Sequence, residues 1–281
     1  MFTWKSHLVP GRPAVMGVVN VTPDSFSDGG RWLDADAAVA HGRALVAAGA
    51  ELLDVGGEST RPGADPVDAD TERARVLPVV EQLAAHVDVP VSVDTAKAEV
   101  AHPALAAGAT VVNDVTAGAD PAMFPLVAER GAGLVIMHMQ GEPRTMQAAP
   151  RYEDVVADVA TFLTERVAAA QRAGVAHDAI VADPGIGFGK TLEHNLALLG
   201  ALQVLREQVG VPLLVGTSRK RFLAAVLERA GRPVPAPNDR DVATLATVAW
   251  CALRGVDVVR VHDVAGASRA ARLVQMIGEA A

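Results

Sequence analysis

An eight-unit α/β barrel is the fold this 281-residue sequence predicts, and three observations predict it. Short runs of β-branched and apolar residues recur eight times without alternating with polar ones, which suits strands buried on both faces of a parallel sheet. Between them, longer Ala-, Leu- and Val-rich stretches carry apolar residues at three- and four-residue intervals, the spacing of an amphipathic helix. Gly-Ala or Gly-Val pairs at 49–50, 108–109, 131–132 and 174–175 sit where a helix should end and the next strand begin. One (β/α)8 TIM barrel commonly runs to about 250 residues, so the length fits a single domain over 1–281, with the segment 1–13 closing its lower end.

In chain order the strands are expected at 15–21, 52–55, 89–93, 111–114, 134–137, 180–183, 213–216 and 258–261. The intervening helices are expected at 36–48, 71–85, 98–107, 121–129, 152–173, 194–208 and 241–253. The Pro-rich stretch 231–239 reads as a loop before the last helix, and no linker divides the chain. A doubly wound open sheet is the rival architecture, but no G-x-G-x-x-G follows the first strand.

Composition removes several functional classes. With 25 Lys+Arg against 33 Asp+Glu the net charge is −8, which argues against a nucleic-acid partner held by broad phosphate neutralisation. It leaves room for an anionic small molecule, because a site is local. The lone Cys251 cannot form an internal disulfide, so a reducing, cytoplasmic setting is the expectation. No signal-like leader and no apolar run near the roughly 18 residues of a membrane span are visible, so neither secretion nor membrane insertion is expected.

Catalytic groups of such a barrel stand at the C-terminal ends of its strands. The first strand leads into Asn20-Val21-Thr22-Pro23-Asp24-Ser25-Phe26-Ser27-Asp28-Gly29-Gly30, and the second into Asp54-Val55-Gly56-Gly57-Glu58-Ser59-Thr60-Arg61-Pro62-Gly63. Both loops exceed the usual 2–6 residues of a βα connection, which marks them as functional segments. The next four ends are Asp94-Thr95, Asn113-Asp114, Met137-His138-Met139-Gln140-Gly141 and Asp183-Pro184-Gly185-Ile186-Gly187-Phe188-Gly189-Lys190. The last two are Gly216-Thr217-Ser218-Arg219-Lys220 and Arg260-Val261-His262-Asp263. Any one of these is an ordinary turn or cap. Polar groups at eight corresponding positions make a site.

Asp94, Asn113 and Asp183 suit a flat heterocycle with amidine-like N–H edges, since a carboxylate accepts two parallel N–H bonds; metal chelation is the competing reading. No H-E-x-x-H, Cys pair, Walker A motif or G-x-S-x-G elbow occurs. Ser218 is placed to cap the helix after the seventh strand, where free N–H groups favour an anion; a plain cap with two solvated cations is the alternative. Arg260 and His262, two apart on a strand, face the same way and suit a phosphate-like group.

Taken together, these segments resemble the dihydropteroate synthases, folate-pathway enzymes targeted by sulfonamides, and they run in that family's order from the first strand to the last. The resemblance implies a pterin-binding barrel that condenses (7,8-dihydropterin-6-yl)methyl diphosphate with 4-aminobenzoate to 7,8-dihydropteroate and diphosphate. By that analogy Asp94, Asn113, Met137, Asp183, Lys220 and Arg260 hold the pterin. Thr60, Arg61, Pro62, Phe188, Lys220 and Ser218 surround 4-aminobenzoate. Asn20, Arg61, Arg260 and His262 take the diphosphate, with Mg2+ between it and Asn20. Asp94, Lys220, Arg61 and Asn20 are the expected catalytic group. The analogy further implies a homodimer formed through late helices and, as 185–190 carries no extra residue beside Phe188, competitive inhibition by sulfonamides. An arylamine needs no strong base, so the expected chemistry is an SN1-like departure of diphosphate, with Asp94 stabilising the pterin methylene cation and the long loops excluding water. Pterin diphosphate should therefore bind first. A methyltetrahydrofolate:corrinoid methyltransferase, which would not need Ser218-Arg219-Lys220 or the Arg260/His262 pair, and a catalytically silent paralogue are the alternatives.

Overall fold

The computed structural model describes residues 1–22, 31–60 and 63–280. Most of the first long loop, at 23–30, together with Arg61 and Pro62, lies outside the described residues. The strands are β1 (Ala14–Asn20), β2 (Leu52–Gly56), β3 (Val91–Asp94), β4 (Val111–Asp114), β5 (Gly133–Met137), β6 (Ile180–Asp183), β7 (Leu214–Val215) and β8 (Val258–Val261). All pairings are parallel, in the order β6-β5-β4-β3-β2-β1-β8-β7. A parallel bridge between Ala182 and Leu213, with the Ala182 N–H donating to the Pro212 carbonyl at 2.9 Å, joins β6 to β7 and closes the barrel.

Ten helices wrap this barrel among the described residues: α1 (Arg31–Ala47), α2 (Ala69–His86), α3 (Ala98–Ala106), α4 (Met123–Arg130), α5 (Val155–Arg172), α6 (Leu192–Gly200), α7 (Leu202–Val209), α8 (Arg221–Arg229), α9 (Asp241–Leu253) and α10 (Val264–Glu279). The four Gly closures take φ of +105°, +111°, +58° and +100° at Gly49, Gly108, Gly131 and Gly174, as helix-ending glycines do. Asp154 caps α5 through the Val156 and Ala157 N–H groups, so that helix starts after Tyr152 and not at it.

Four expectations need correction. The helix expected at 194–208 breaks at Ala201 (φ −105°, ψ 15°) into α6 and α7, and it begins earlier, with Thr191 and His194 forming a capping box. The third strand starts only after Pro90, which has no N–H for the ladder. The helix expected after the seventh strand is present as α8, but it begins at Arg221 and not at Ser218. Helix α10 was not anticipated; it is capped by Asp263 and buried at Val264, Ala267, Ser268 and Ala271, so α9 is not the last helix.

The lower end is closed as expected. A short 3-10 turn at Trp4–Ser6 inserts Trp4, 1% exposed, against Met16, Leu52, Val111, Val135, Val181, Leu214 and Val258. Its indole N–H donates to the Ala179 carbonyl at 2.9 Å, so the one polar atom of the plug is satisfied. Among the described residues no helix is long and apolar enough to cross a membrane.

Candidate active site at the C-terminal rim

Strand register builds the floor of the site. Asn20 stands opposite Gly56, Gly56 opposite Asp94 and Asp94 opposite Asn113, so the tips of β1 to β4 form one row. Met137 and Asp183 pair beside it on β5 and β6. Arg260 reaches this row from β8, its Nε 2.6 Å from Asp54 Oδ2 and a terminal nitrogen 2.9 Å from Asp94 Oδ2. Asn113 donates to the same Asp54 oxygen at 3.0 Å. Asp54 is fully buried, so one guanidinium faces two carboxylates with little water to screen them. Burial, then the Asp54 charge, pushes the Asp94 carboxyl up to about 8 against the pull of Arg260. Asp183 is raised by burial and drawn back by Lys220; its Oδ1 accepts the Gly185 N–H at 2.7 Å.

The opposite wall comes from the loop after β6. Gly185 and Gly189 have φ of +67° and +60°, and a Cβ on either would collide with a carbonyl oxygen of the β5 loop, that of His138 or Gln140. Lys220 lies along Gly187; its ammonium donates to the Ile186 carbonyl at 2.5 Å and sits 4.5 Å from the centre of the Phe188 ring. Burial pushes this ammonium down to about 8.

A cavity of about 690 Å3 separates floor from wall. The six residues expected at the pterin, Asp94, Asn113, Met137, Asp183, Lys220 and Arg260, all line it. So do Asn20, Thr60, Phe188, Ser218 and His262, whereas Arg61 and Pro62 fall outside the described residues.

Two rim expectations change. Ser218 does not cap α8, which begins at Arg221 with Lys220 at its N-cap and no side-chain cap; the Ser218 hydroxyl instead lies 2.8 Å from His262 Nδ1 and accepts the His262 N–H at 3.1 Å. Arg219 is not a free cation of the rim. Its guanidinium is held bidentately by Asp241, 2.8 Å to each oxygen, and its backbone has φ +60°. Arg260 likewise spends two of its nitrogens on Asp54 and Asp94, a demand that strand parity with His262 does not reveal. No group of three or more His, Cys, Asp or Glu side chains fit to hold a metal occurs among the described residues.

A family model described as pterin binding enzyme matches residues 16–262. The dihydropteroate synthase of Mycobacterium leprae is 52% identical over 266 residues, 92% of each chain. This chain belongs to the dihydropteroate synthase family. Among solved structures, the Xanthomonas albilineans dihydropteroate synthase with 4-aminobenzoic acid superposes with a TM-score of 0.87 at 48% identity, covering 95% of this chain and 93% of that one. The Yersinia pestis dihydropteroate synthase in a sulfonamide drug complex gives 0.89 at 41% identity, covering 97% and 96%.

Three pairings in this synthase-family site escaped sequence reasoning. Asp54 is a carboxylate in the middle of the apolar run Leu52-Leu53-Asp54-Val55, and that isolation was the available signal of a buried partner. Lys97 donates to Glu58 and to fully buried Glu72, both at 2.6 Å, while Glu58 also accepts the Val67 N–H, so the start of the second loop is moored to α2 and α3. Lys190, 3% exposed, lies 3.0 Å from His138 Nδ1. In sequence Lys97 and Glu72 look like a solvated helix face, and only tertiary contact distinguishes them.

Proposed function

We propose that this rim cavity is the active site of a dihydropteroate synthase joining (7,8-dihydropterin-6-yl)methyl diphosphate to 4-aminobenzoate. The observation that carries it is the floor, where half-buried Asp94 and Arg260 and buried Asp54 and Asn113 are hydrogen-bonded into one set beside Asp183 and Lys220. Flat N–H edges of a pterin meet the Asp94 and Asp183 carboxyls, Met137 lines the slot, and the Arg260 guanidinium offers a plane to its ring.

The bond from the pterin methylene carbon to the diphosphate oxygen breaks, its electron pair leaving with diphosphate. The arylamine nitrogen then donates its lone pair to that carbon and loses a proton to solvent. Loss of the leaving group puts positive charge on the pterin, and an ionised Asp94 stabilises it where screening is weak. Asn20, His262 and Arg61 take the diphosphate, with Ser218 fixing the imidazole. The side-chain oxygen of Asn20 is a hard neutral donor, and a magnesium ion, which keeps several waters and favours substrate phosphates, fits such a sparse protein set. Asn20 would hold such an ion, which would supply positive charge beside the diphosphate. The uncapped start of α8, beside Lys220, Ser218 and Phe188, receives the 4-aminobenzoate carboxylate, with Thr60, Arg61 and Pro62 completing the pocket.

We take 1–281 as one catalytic domain acting in the cytoplasm, since Trp4 belongs to the barrel core and the lone Cys251 is buried. The partner is a second copy of the chain. Val242 and Leu253 on α9 and Leu273, Met276 and Ile277 on α10 expose a large apolar area, the kind a homodimer covers.

A coupled assay of diphosphate release tests the function. Release should require pterin diphosphate and 4-aminobenzoate together, with dihydropteroate as co-product, and a sulfonamide should compete with 4-aminobenzoate alone. Release that ignores the arylamine would overturn the proposal.

A further inference from the structure

The loop after β6 is held in an unusual way: each of four consecutive backbone carbonyls accepts a side-chain donor, two from the connection after β5, one from the loop after β7 and one from its own end. Ile186 takes the Lys220 ammonium at 2.5 Å, Gly187 the Gln147 amide at 2.6 Å, Phe188 the Lys190 ammonium at 3.0 Å and Gly189 the Tyr152 hydroxyl at 2.8 Å. The Gly187 N–H is taken as well, by Asn195 Oδ1 at 2.7 Å. A loop so bonded has little freedom left, and the residue at its centre is Phe188.

Gln147 and Tyr152 make no other side-chain hydrogen bond among the described residues, so their polar ends serve this loop alone. Lys190 is the costlier device, because it buries an ammonium, and that burial pushes it down to about 7 against the pull of Asp183. It is compensated by Phe188 O, by His138 Nδ1 at 3.0 Å and by the Tyr152 ring 5.9 Å away. His138 suits that part: burial, with the Lys190 charge, pushes its imidazole down to about 3, so it stays neutral and its Nδ1 accepts. A purely structural staple would need only to tie loop to loop. This one is aimed at the backbone around one aromatic wall of the cavity.

We infer that Lys190, Tyr152 and Gln147 are positioning residues for the second substrate, acting through the 187–189 backbone to hold the Phe188 ring against the Lys220 ammonium. The inference rests on the reading of Phe188 as a wall of the 4-aminobenzoate subsite. A rigid ring under a cation defines a slot the thickness of one arylamine. If the carbonyl anchors are cut, the ring gains freedom and the arylamine must order it on binding. The pterin floor is bonded within itself across β2, β3, β4 and β8, so it should not notice, except that Lys190 also contributes charge near Asp183. The neutral changes at Tyr152 and Gln147 are therefore the cleaner probes.

The test is steady-state kinetics of the full chain with both substrates, together with equilibrium dialysis of pterin diphosphate and a thermal melt. Tyr152→Phe and Gln147→Ala should each raise KM for 4-aminobenzoate about 3- to 10-fold, and Lys190→Met about 10- to 100-fold, the scale of losing one neutral or one charged hydrogen bond. In the two neutral variants kcat and pterin diphosphate affinity should stay within about two-fold of the parent. Phe188→Ala separates the premises. If it raises KM for 4-aminobenzoate and the anchor variants do not, the positioning role is wrong while the subsite stands. If Phe188→Ala leaves that KM unmoved, the subsite reading fails and the inference with it. Parallel loss of pterin affinity, arylamine KM and melting temperature in Tyr152→Phe and Gln147→Ala would reduce the anchors to ordinary scaffolding. Should Lys190→Met fail to fold, those two variants decide the matter.

Discussion

The two ends of the barrel are made from the same eight strands and treat charge in opposite ways. At the lower end Trp4 completes an apolar cluster whose one polar atom is bonded. At the upper end two carboxylates share one guanidinium, an Asp54 oxygen has no hydrogen bond among the described residues, and several groups are pushed far from their ordinary pKa. The lower end stabilises the molecule, and the upper end spends part of that stability on electrostatic readiness. Mutations should therefore separate the two properties.

The largest effect is expected at the plug. Trp4→Ala should cost about 3–5 kcal/mol in chemical denaturation, with kcat unchanged at temperatures where the variant is folded. A matching fall in kcat would mean that the ends are coupled. Next, Asp94→Asn should lower kcat about 10^2- to 10^3-fold. Its melting temperature should hold near neutral pH, where the raised Asp94 carboxyl already carries its proton and the amide replaces one neutral group by another. Full turnover with pterin bound would refute the cation-stabilising role.

A smaller effect is a pH profile. Asp94 must be ionised and Lys220 protonated, and both are placed at about 8. Since the raised carboxyl keeps its proton below that value and the lowered ammonium sheds its own above it, kcat/KM for pterin diphosphate should form a bell centred near pH 8. A flat profile from about pH 6 to 10 would remove the pair from the rate law. The smallest effect is expected at Asp241→Ala. It frees Arg219 at the rim edge, and should cost about 0.2–1 kcal/mol with turnover nearly unchanged.

This contrast also explains what was legible in the sequence. Strands buried on both faces announce themselves as unbroken apolar runs, so the β1, β2, β4, β5, β6 and β8 regions, and the tip residues Asn20, Asn113, Met137 and Asp183, could be placed by counting. Helix α10 was equally periodic, with Val264, Ala267, Ser268 and Ala271 at helical intervals, but its small residues carry a weak apolar signal. The partnering of charges was not legible. Whether Arg219 meets solvent or Asp241, and whether Ser218 meets a helix N-terminus or His262, depends on side chains 22 and 44 residues away. Local pattern places a donor at the rim; only the closed barrel selects its acceptor.

The plug has a consequence for how the chain is made. Trp4 is synthesised before every strand of the barrel, yet its indole bonds to Ala179, 175 positions later, and packs against Leu214 and Val258. Synthesis is vectorial, so this aromatic side chain waits without its native pocket until nearly the whole polypeptide has emerged. A residue made before the first strand is thus among the last to be seated, and the seam between β6 and β7 closes around the same cluster.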